Sequence, residues 1–220
     1  MTRSVIIVAG GKGSRMGAST PKQFLLLKGK PILMHSIQHF FDFDPEIKTV
    51  VVLPAEHIET WKALCVKFNF TVTHQIVEGG NERTNSVVNG LFVIPNEGCV
   101  AIHDGVRPLT SLALIKRCFE HAEVKGNAVP CVKISESVRR IKVGRSKPVK
   151  REEYRLIQTP QCFRTIDLKA AYDKFTNENF TDDASLFEAD GHVIELIEGE
   201  TKNIKITTPE ELKIAELLLG

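Results

Sequence analysis

The 220-residue chain lacks several features that would fix its class at once. No apolar run approaches the roughly 18 residues of a membrane span, so a membrane is not an expected partner. The five cysteines (65, 99, 118, 131, 162) form no Cys-x-x-Cys pair and are odd in number. That argues against a disulfide framework and a zinc site, and for reduced thiols in the cytoplasm. Val5-Ile6-Ile7-Val8-Ala9 is too short for a signal-peptide core, and glycines follow it at once, so it reads as a strand. Internal repeats and low-complexity linkers are absent. Glycine (15) and proline (10) are too few for a collagen-like chain. A composition of 42% hydrophobic and 25% charged residues is that of a globular protein with a real core. The expectation is one domain over residues 1–220.

What is there begins with charge. A formal net charge of +2 hides an uneven distribution. Nine basic residues and only three acids lie between Lys133 and Arg155, a net of +6, which leaves −4 for the rest of the chain. Such a segment is a solvated face, a nucleic-acid arm or part of an anion site. Tyr154 is its only aromatic residue, so the stacking platforms of a single-strand binder are missing, and nucleic acid is not an expected partner.

Apolar patterning alternates strand and helix. Buried strands are expected at Val5–Ala9, Thr49–Leu53, Val72–Val77, Cys99–His103 and Ala128–Val132. Between them, Leu33, Ile37, Phe40 and Phe41, then Ile58, Trp61, Cys65 and Phe68, then Leu112, Ile115, Phe119 and Ala122 form helical stripes. A further helix is expected from about Arg83. This succession predicts an α/β fold, Rossmann-like, with a mostly parallel sheet and helices on both faces. The alternation breaks over residues 134–157, where apolar residues scatter among charges around a turn near Gly144. That reads as a β-hairpin arm with little core of its own, projecting to pack on a second subunit. Helices at Leu168–Phe175 and Asp182–Ala189, strands at Val193–Ile197 and Ile204–Thr207, and a helix opened by Pro209-Glu210-Glu211 complete the chain.

In open parallel sheets the ligand lies at the carboxyl ends of the strands. Three segments should converge there: Gly10-Gly11-Lys12-Gly13-Ser14-Arg15-Met16-Gly17 with Pro21-Lys22-Gln23, Gly79-Gly80-Asn81-Glu82-Arg83, and His103-Asp104-Gly105-Val106-Arg107-Pro108. Glycines let backbone N–H groups face anionic oxygens, and Lys12, Arg15 and Lys22 add positive charge. The Walker and Gly-x-Gly-x-x-Gly patterns both fail. Asp104 would cap a helix, hold Arg107 or bind a divalent cation such as Mg2+ beside phosphates. His103 should point away from Asp104 and reads as structural. Without a Gly-x-Ser-x-Gly elbow or a nucleophile–base pair, the expected chemistry is transfer onto an anionic acceptor with no covalent enzyme intermediate.

Six motifs follow in order: Ala9-Gly-Gly-x-Gly-x-Arg15-Met16, Pro21-Lys22-Gln23, Gly79-Gly80-x-x-Arg83-x-x-Ser86, His103-Asp104-x-x-Arg107-Pro108, Thr159-Pro160-Gln161 and Asn203-Ile204-Lys205. In these the chain resembles, end to end, the 2-C-methyl-D-erythritol 4-phosphate cytidylyltransferases, with their nucleotide-diphospho-sugar transferase type of fold. The resemblance implies attack of the acceptor phosphate on the α-phosphorus of CTP. It implies catalytic roles for Arg15, Lys22 and Lys205. CTP would lie against Ala9, Gly10, Gly11, Gly13, Gly80, Asn81 and Ser86. The acceptor would meet Asp104, Arg107, Ser137, Arg151 and Thr159, with Asp104 also holding the metal. It further implies a homodimer through the 134–157 arm, so that Ser137 and Arg151 serve the neighbouring subunit. Gly105-Val106 departs from the family's commoner Ala-Ala toward the ribitol-5-phosphate cytidylyltransferases, whereas Arg151 and Thr181-Asp182-Asp183-Ala184-Ser185 favour methylerythritol phosphate.

Overall fold

The computed structural model describes residues 1–10, 20–175 and 180–219. In chain order the elements are β1 (Arg3–Val8), the two-residue strands β2 (Leu26–Leu27) and β3 (Lys30–Pro31), α1 (Ile32–Phe43), β4 (Lys48–Leu53), α2 (Ala55–Lys67), β5 (Gln75–Glu78), α3 (Arg83–Phe92), β6 (Cys99–Asp104), α4 (Leu112–Lys125) and β7 (Asn127–Lys133). There follow β8 (Arg139–Lys142), β9 (Arg145–Pro148), β10 (Arg155–Ile157), β11 (Gln161–Arg164), α5 (Thr165–Lys174), α6 (Asp183–Ala189), β12 (Leu196–Glu198) and α7 (Pro209–Leu218).

The main sheet has the order β10-β7-β11-β6-β1-β4-β5, and β12 also pairs with β7. Strands β6, β1, β4 and β5 are mutually parallel, whereas β11 runs antiparallel between β6 and β7. The sheet is therefore mostly parallel, as expected, with two reversed strands, β10 and β11, that the apolar pattern did not suggest. Alternate residues of β1 face opposite layers. Val5 and Ile7 join Leu33, Ile37, Phe40, Trp61, Ile115 and Phe119 on one side, and Ile6 joins Val87, Leu91, Leu168 and Phe187 on the other. That two-sided burial explains the uninterrupted apolar run of β1.

Local chemistry sets the helix starts that matter to the site. Ser111 caps α4, its hydroxyl accepting from the Leu114 N–H at 3.0 Å, a contact worth about 1 kcal/mol. Thr208 and Glu211 form a capping box on α7 with Pro209 at its first turn. Two expected strands end differently. The segment 193–197 is regular only over Leu196–Glu198, and 204–207 is irregular, although its Ile206 N–H reaches the Val106 carbonyl at 2.9 Å.

Within the arm β8 and β9 form a hairpin whose strands pair only with each other, in a sheet of their own, whereas β10 at the arm's end joins β7 of the main sheet. Val143 and Gly144 form the hairpin's two-residue turn, with φ of 47° and 71°. Positive φ at both positions matches the turn type that suits strand twist, and glycine takes it without strain. All eight residues of β8 and β9 are exposed, so this ribbon buries nothing within its own chain.

Candidate active site

A cavity of about 620 Å³ opens at the carboxyl ends of β1, β4, β5 and β6. As far as the described residues go, the three segments expected to converge do so, the first through Gly10, Lys22 and Gln23. Ala9, Gly10, Lys22, Gly80, Asn81, Ser86, Asp104, Arg107, Thr159 and Lys205 all line it. Ser137 and Arg151 do not. They lie on the exposed arm, where Arg151 donates to the Ser135 carbonyl and meets Glu152 at 3.4 Å. Gly11, Gly13 and Arg15 lie outside the described residues.

Asp104 ends β6 at the cavity floor, its side chain only 13% exposed. One of its oxygens, Oδ2, receives Arg107 Nε at 3.0 Å and Lys205 Nζ at 3.1 Å. Burial pushes the carboxyl pKa up, but Lys205, Arg107 and Arg83 overcome that and hold it well below the usual carboxylate range. The group is an anion at any working pH. Among the described residues no group of three or more His, Cys, Asp or Glu side chains could cage a metal. A divalent cation here would rest on Asp104 together with phosphate oxygens and water. One carboxylate plus substrate phosphates is a usual magnesium environment, so the residues present fit such an ion.

Beneath Asp104 the ring of His103 is buried and packs edge-on against Phe40. The Thr159 hydroxyl accepts the Asp104 backbone N–H at 3.0 Å and lies 3.1 Å from His103 Nδ1. The Arg107 carbonyl, which can only accept, lies 3.4 Å from Nε2, so Nε2 carries the ring proton and Nδ1 accepts from the Thr159 hydroxyl. Burial pushes the His103 pKa down to about 3, which keeps the ring neutral. Thr159 thus clamps β6 at the site as well as lining the cavity.

On the opposite wall, Ser86 holds the glycine turn. Its hydroxyl accepts from the Gly80 N–H and donates to the Glu82 carbonyl, each at 3.1 Å. A Cβ on Gly80 would stand 2.3 Å from that of Asn85, so only glycine fits. Lys22 sits in a single helical turn beside Gln23, whose amide donates to the Ala9 carbonyl at 2.8 Å. The Gly105 departure has a packing reason. A Cβ there would approach Leu33 to 3.0 Å and Ala9 to 3.1 Å, beneath the site.

Asn203 carries no expected role, yet it organises the floor. It is fully buried, donates to the Thr159 carbonyl at 2.9 Å and accepts from Thr110 at 2.8 Å. Its own carbonyl takes Arg107 Nη1 at 2.8 Å. Gln161, Arg83, Thr181, Asp182 and Ser185 also line the cavity without an assigned task. All stand inside or beside the recurring motifs, which is the signal that marks them.

A strand-end crevice with a glycine turn, several cations and one buried carboxylate, on a mostly parallel Rossmann-like sheet, defines a nucleotidyltransferase. The model of the 2-C-methyl-D-erythritol 4-phosphate cytidylyltransferase family matches residues 4–220, and the chain belongs to that family. Enzymes of that name from Bacteroides thetaiotaomicron and Phocaeicola vulgatus are 48% and 47% identical over 219 residues, covering 100% of both chains in each case. Among solved structures, the 2-C-methyl-D-erythritol 4-phosphate cytidylyltransferase of Thermus thermophilus aligns with a TM-score of 0.82 at 32% identity, covering 99% of this chain and 98% of that one. The 4-diphosphocytidyl-2C-methyl-D-erythritol synthase of Anaerococcus prevotii aligns at 0.85 and 27%, covering 99% and 96%. No helix among the described residues is long and apolar enough to cross a membrane.

Proposed function

We propose that the chain transfers the cytidylyl group of CTP to 2-C-methyl-D-erythritol 4-phosphate, releasing pyrophosphate, in the non-mevalonate supply of isoprenoid precursors. The observation that carries this reading is the convergence of Lys205 and Arg107 on Asp104 at the floor of a cavity walled by Lys22 and the Gly79-Gly80 turn. Family membership over nearly the whole chain supports the donor and the acceptor.

An oxygen of the acceptor phosphate attacks the α-phosphorus in line, and the bond to the β-phosphate bridging oxygen breaks. Charge builds on the transferred group and the leaving pyrophosphate. Fixed cations meet it at little reorganisation cost. Lys205 acts from the floor, and Lys22 and Arg15 from the glycine-rich side. Ala9, Gly10, Gly11, Gly13, Gly80, Asn81 and Ser86 receive the nucleotide, while Arg107 and Thr159 face the acceptor. A divalent cation on Asp104 would supply charge neutralisation for the triphosphate. Ser137 and Arg151 complete the acceptor site of a second subunit in a homodimer joined through residues 134–157.

The deciding experiment is pyrophosphate release with CTP, magnesium and each of two acceptors. Turnover is expected with methylerythritol phosphate. Preference for ribitol 5-phosphate would reassign the acceptor, and no turnover with either would remove the enzyme reading.

A further inference from the structure

The cavity has two walls far apart in sequence, and one ion pair joins them. Arg83 opens α3, directly after the Gly79–Glu82 turn. Asp183 opens α6, directly after Thr181 and Asp182. Arg83 Nη2 donates to Asp183 Oδ2 at 2.5 Å, and the Tyr172 hydroxyl of α5 donates to Oδ1 at 2.6 Å. The Asp183 side chain is wholly buried.

Asp183 is not needed to start its own helix. Asp182 already caps α6, accepting from the Ser185 N–H at 3.0 Å and from Gln161 Nε2 at 2.8 Å. Gln161 Oε1 takes the Ala184 N–H at 2.9 Å. Both oxygens of Asp183 are spent instead on side chains of two other helices. A buried carboxylate is a costly way to hold a fold, since a well-packed apolar pair often does as well. What it adds is direction. Arg83 is fixed at the cavity rim, and through it the first turn of α3, from which Ser86 holds the Gly80 N–H.

We propose that Asp183 is a positioning residue for nucleotide binding, holding Arg83 and the Gly79–Ser86 turn in register with the α6 wall. This rests on the reading of the cavity as a CTP site. Asp183 touches no substrate and acts only through Arg83.

The test compares two carboxylates of α6 and its end. Asp190 ties the other end of α6 to Lys174 of α5 at 2.7 Å and does not line the cavity. Asp183→Asn and Asp190→Asn are made in the full chain, and melting temperature, steady-state kinetics and calorimetric CTP binding are measured. Asp183→Asn is expected to raise the CTP KM and Kd at least tenfold, with kcat within about threefold and the acceptor KM unchanged. Asp190→Asn is expected to lower the melting temperature without moving either CTP constant. Unchanged CTP affinity in Asp183→Asn, or an equal shift in Asp190→Asn, overturns the proposal in favour of a merely structural tie. Should Asp183→Asn fail to fold, Tyr172→Phe leaves the ion pair in place and is expected to raise the CTP KM about two- to fivefold, and no change overturns the proposal. Failure of the unmutated protein to bind CTP overturns the nucleotide reading itself, which separates the two failures.

Discussion

The Nζ of Lys205 lies 3.1 Å from Oδ2 of Asp104. The carboxylate thus pairs with the lysine that the proposed reaction needs at the α-phosphate. The Lys205 side chain is 43% exposed and has room to swing toward an entering triphosphate. Arg107 shares the same oxygen but is anchored by the Asn203 carbonyl, so it stays with Asp104. Lys205→Ala is expected to lower kcat about 10²- to 10³-fold with little change in the CTP KM, because the contact matters most for charge that develops during transfer. Initial rates over a CTP titration check this. A variant with wild-type kcat would sink the assignment. Asp104→Asn is expected to raise the magnesium concentration needed for half-maximal rate.

Gly10 separates folding from binding. A Cβ added there meets, among the described residues, only Pro54 at 4.0 Å. Gly10→Ala should therefore fold with an unchanged melting temperature. The added methyl would stand where the nucleotide approaches the backbone, so the CTP KM is expected to rise about tenfold or more. A lowered melting temperature with unchanged KM would mean that this glycine serves the fold alone.

Asn203 links three parts of the site that are distant in sequence. Asn203→Ala leaves the buried Thr159 carbonyl short of a donor, whereas the Thr110 hydroxyl keeps the Arg107 carbonyl as acceptor at 3.1 Å. At about 1–3 kcal/mol for that unsatisfied group, the loss of stability should be a few degrees in melting temperature. Because Lys205 follows two residues later, kcat is expected to fall as well. Thermal melting alongside kinetics reads both. A variant with unchanged melting temperature and unchanged kcat would remove Asn203 as the organiser of the floor.

The strand ends were legible in the sequence because continuous apolar runs are what doubly covered parallel strands require. Asp104 stood out as a charge ending such a run. β11 was not legible: four residues buried over most of their length carry no alternation, and Pro160 precedes them. The segment 204–207 has the apolar content of a strand, but it crosses the site as an irregular stretch tied to its neighbour by the Ile206 N–H on the Val106 carbonyl. Asn203 and Asp183 were invisible as organisers because their partners are set by tertiary folding. Thr159 and Thr110 stand 44 and 93 positions from Asn203, and Arg83 stands 100 from Asp183.

The arm carries a prediction about subunits. Arg151 lies outside the cavity of its own chain, in the short helical turn Arg151–Glu153 that follows the hairpin, and the arm exposes Ile141, Val143 and Tyr154. Arg151→Ala is expected to raise the acceptor KM at least tenfold and leave the CTP KM unchanged. In the proposed dimer, mixing an inactive Arg15 variant with Arg151→Ala, assayed at an acceptor concentration far below the raised KM where the Arg151 variant alone is nearly silent, yields heterodimers with one intact site. Recovery of up to about half the wild-type rate per heterodimer is expected. Continued inactivity in verified heterodimers would place Arg151 outside the shared site.

Acid should weaken the fold before it changes the site's charge. Burial pushes His103 down to about 3, and burial also lowers His35, His39 and His74. In the unfolded chain these rings titrate near 6.5. Their folded pKa values are depressed, so as pH falls below about 6.5 the unfolded chain takes up protons that the fold refuses. Stability is therefore full above about pH 7 and is lost as pH falls from 6.5 toward 3. The buried His103 ring contributes up to about 1.4 kcal/mol per pH unit within its window, and the half-buried His35, His39 and His74 contribute less because solvent screens them. Asp104 adds to the loss only lower, below about pH 4, since its carboxyl is held beneath the ordinary range. Melting temperatures measured from pH 8 to pH 4.5 should be level above 7 and fall below 6.5. In His103→Gln, which cannot titrate, the acid limb should be shallower. An acid limb as steep as that of the unmutated protein would remove His103 from the account and leave the loss to the other buried rings.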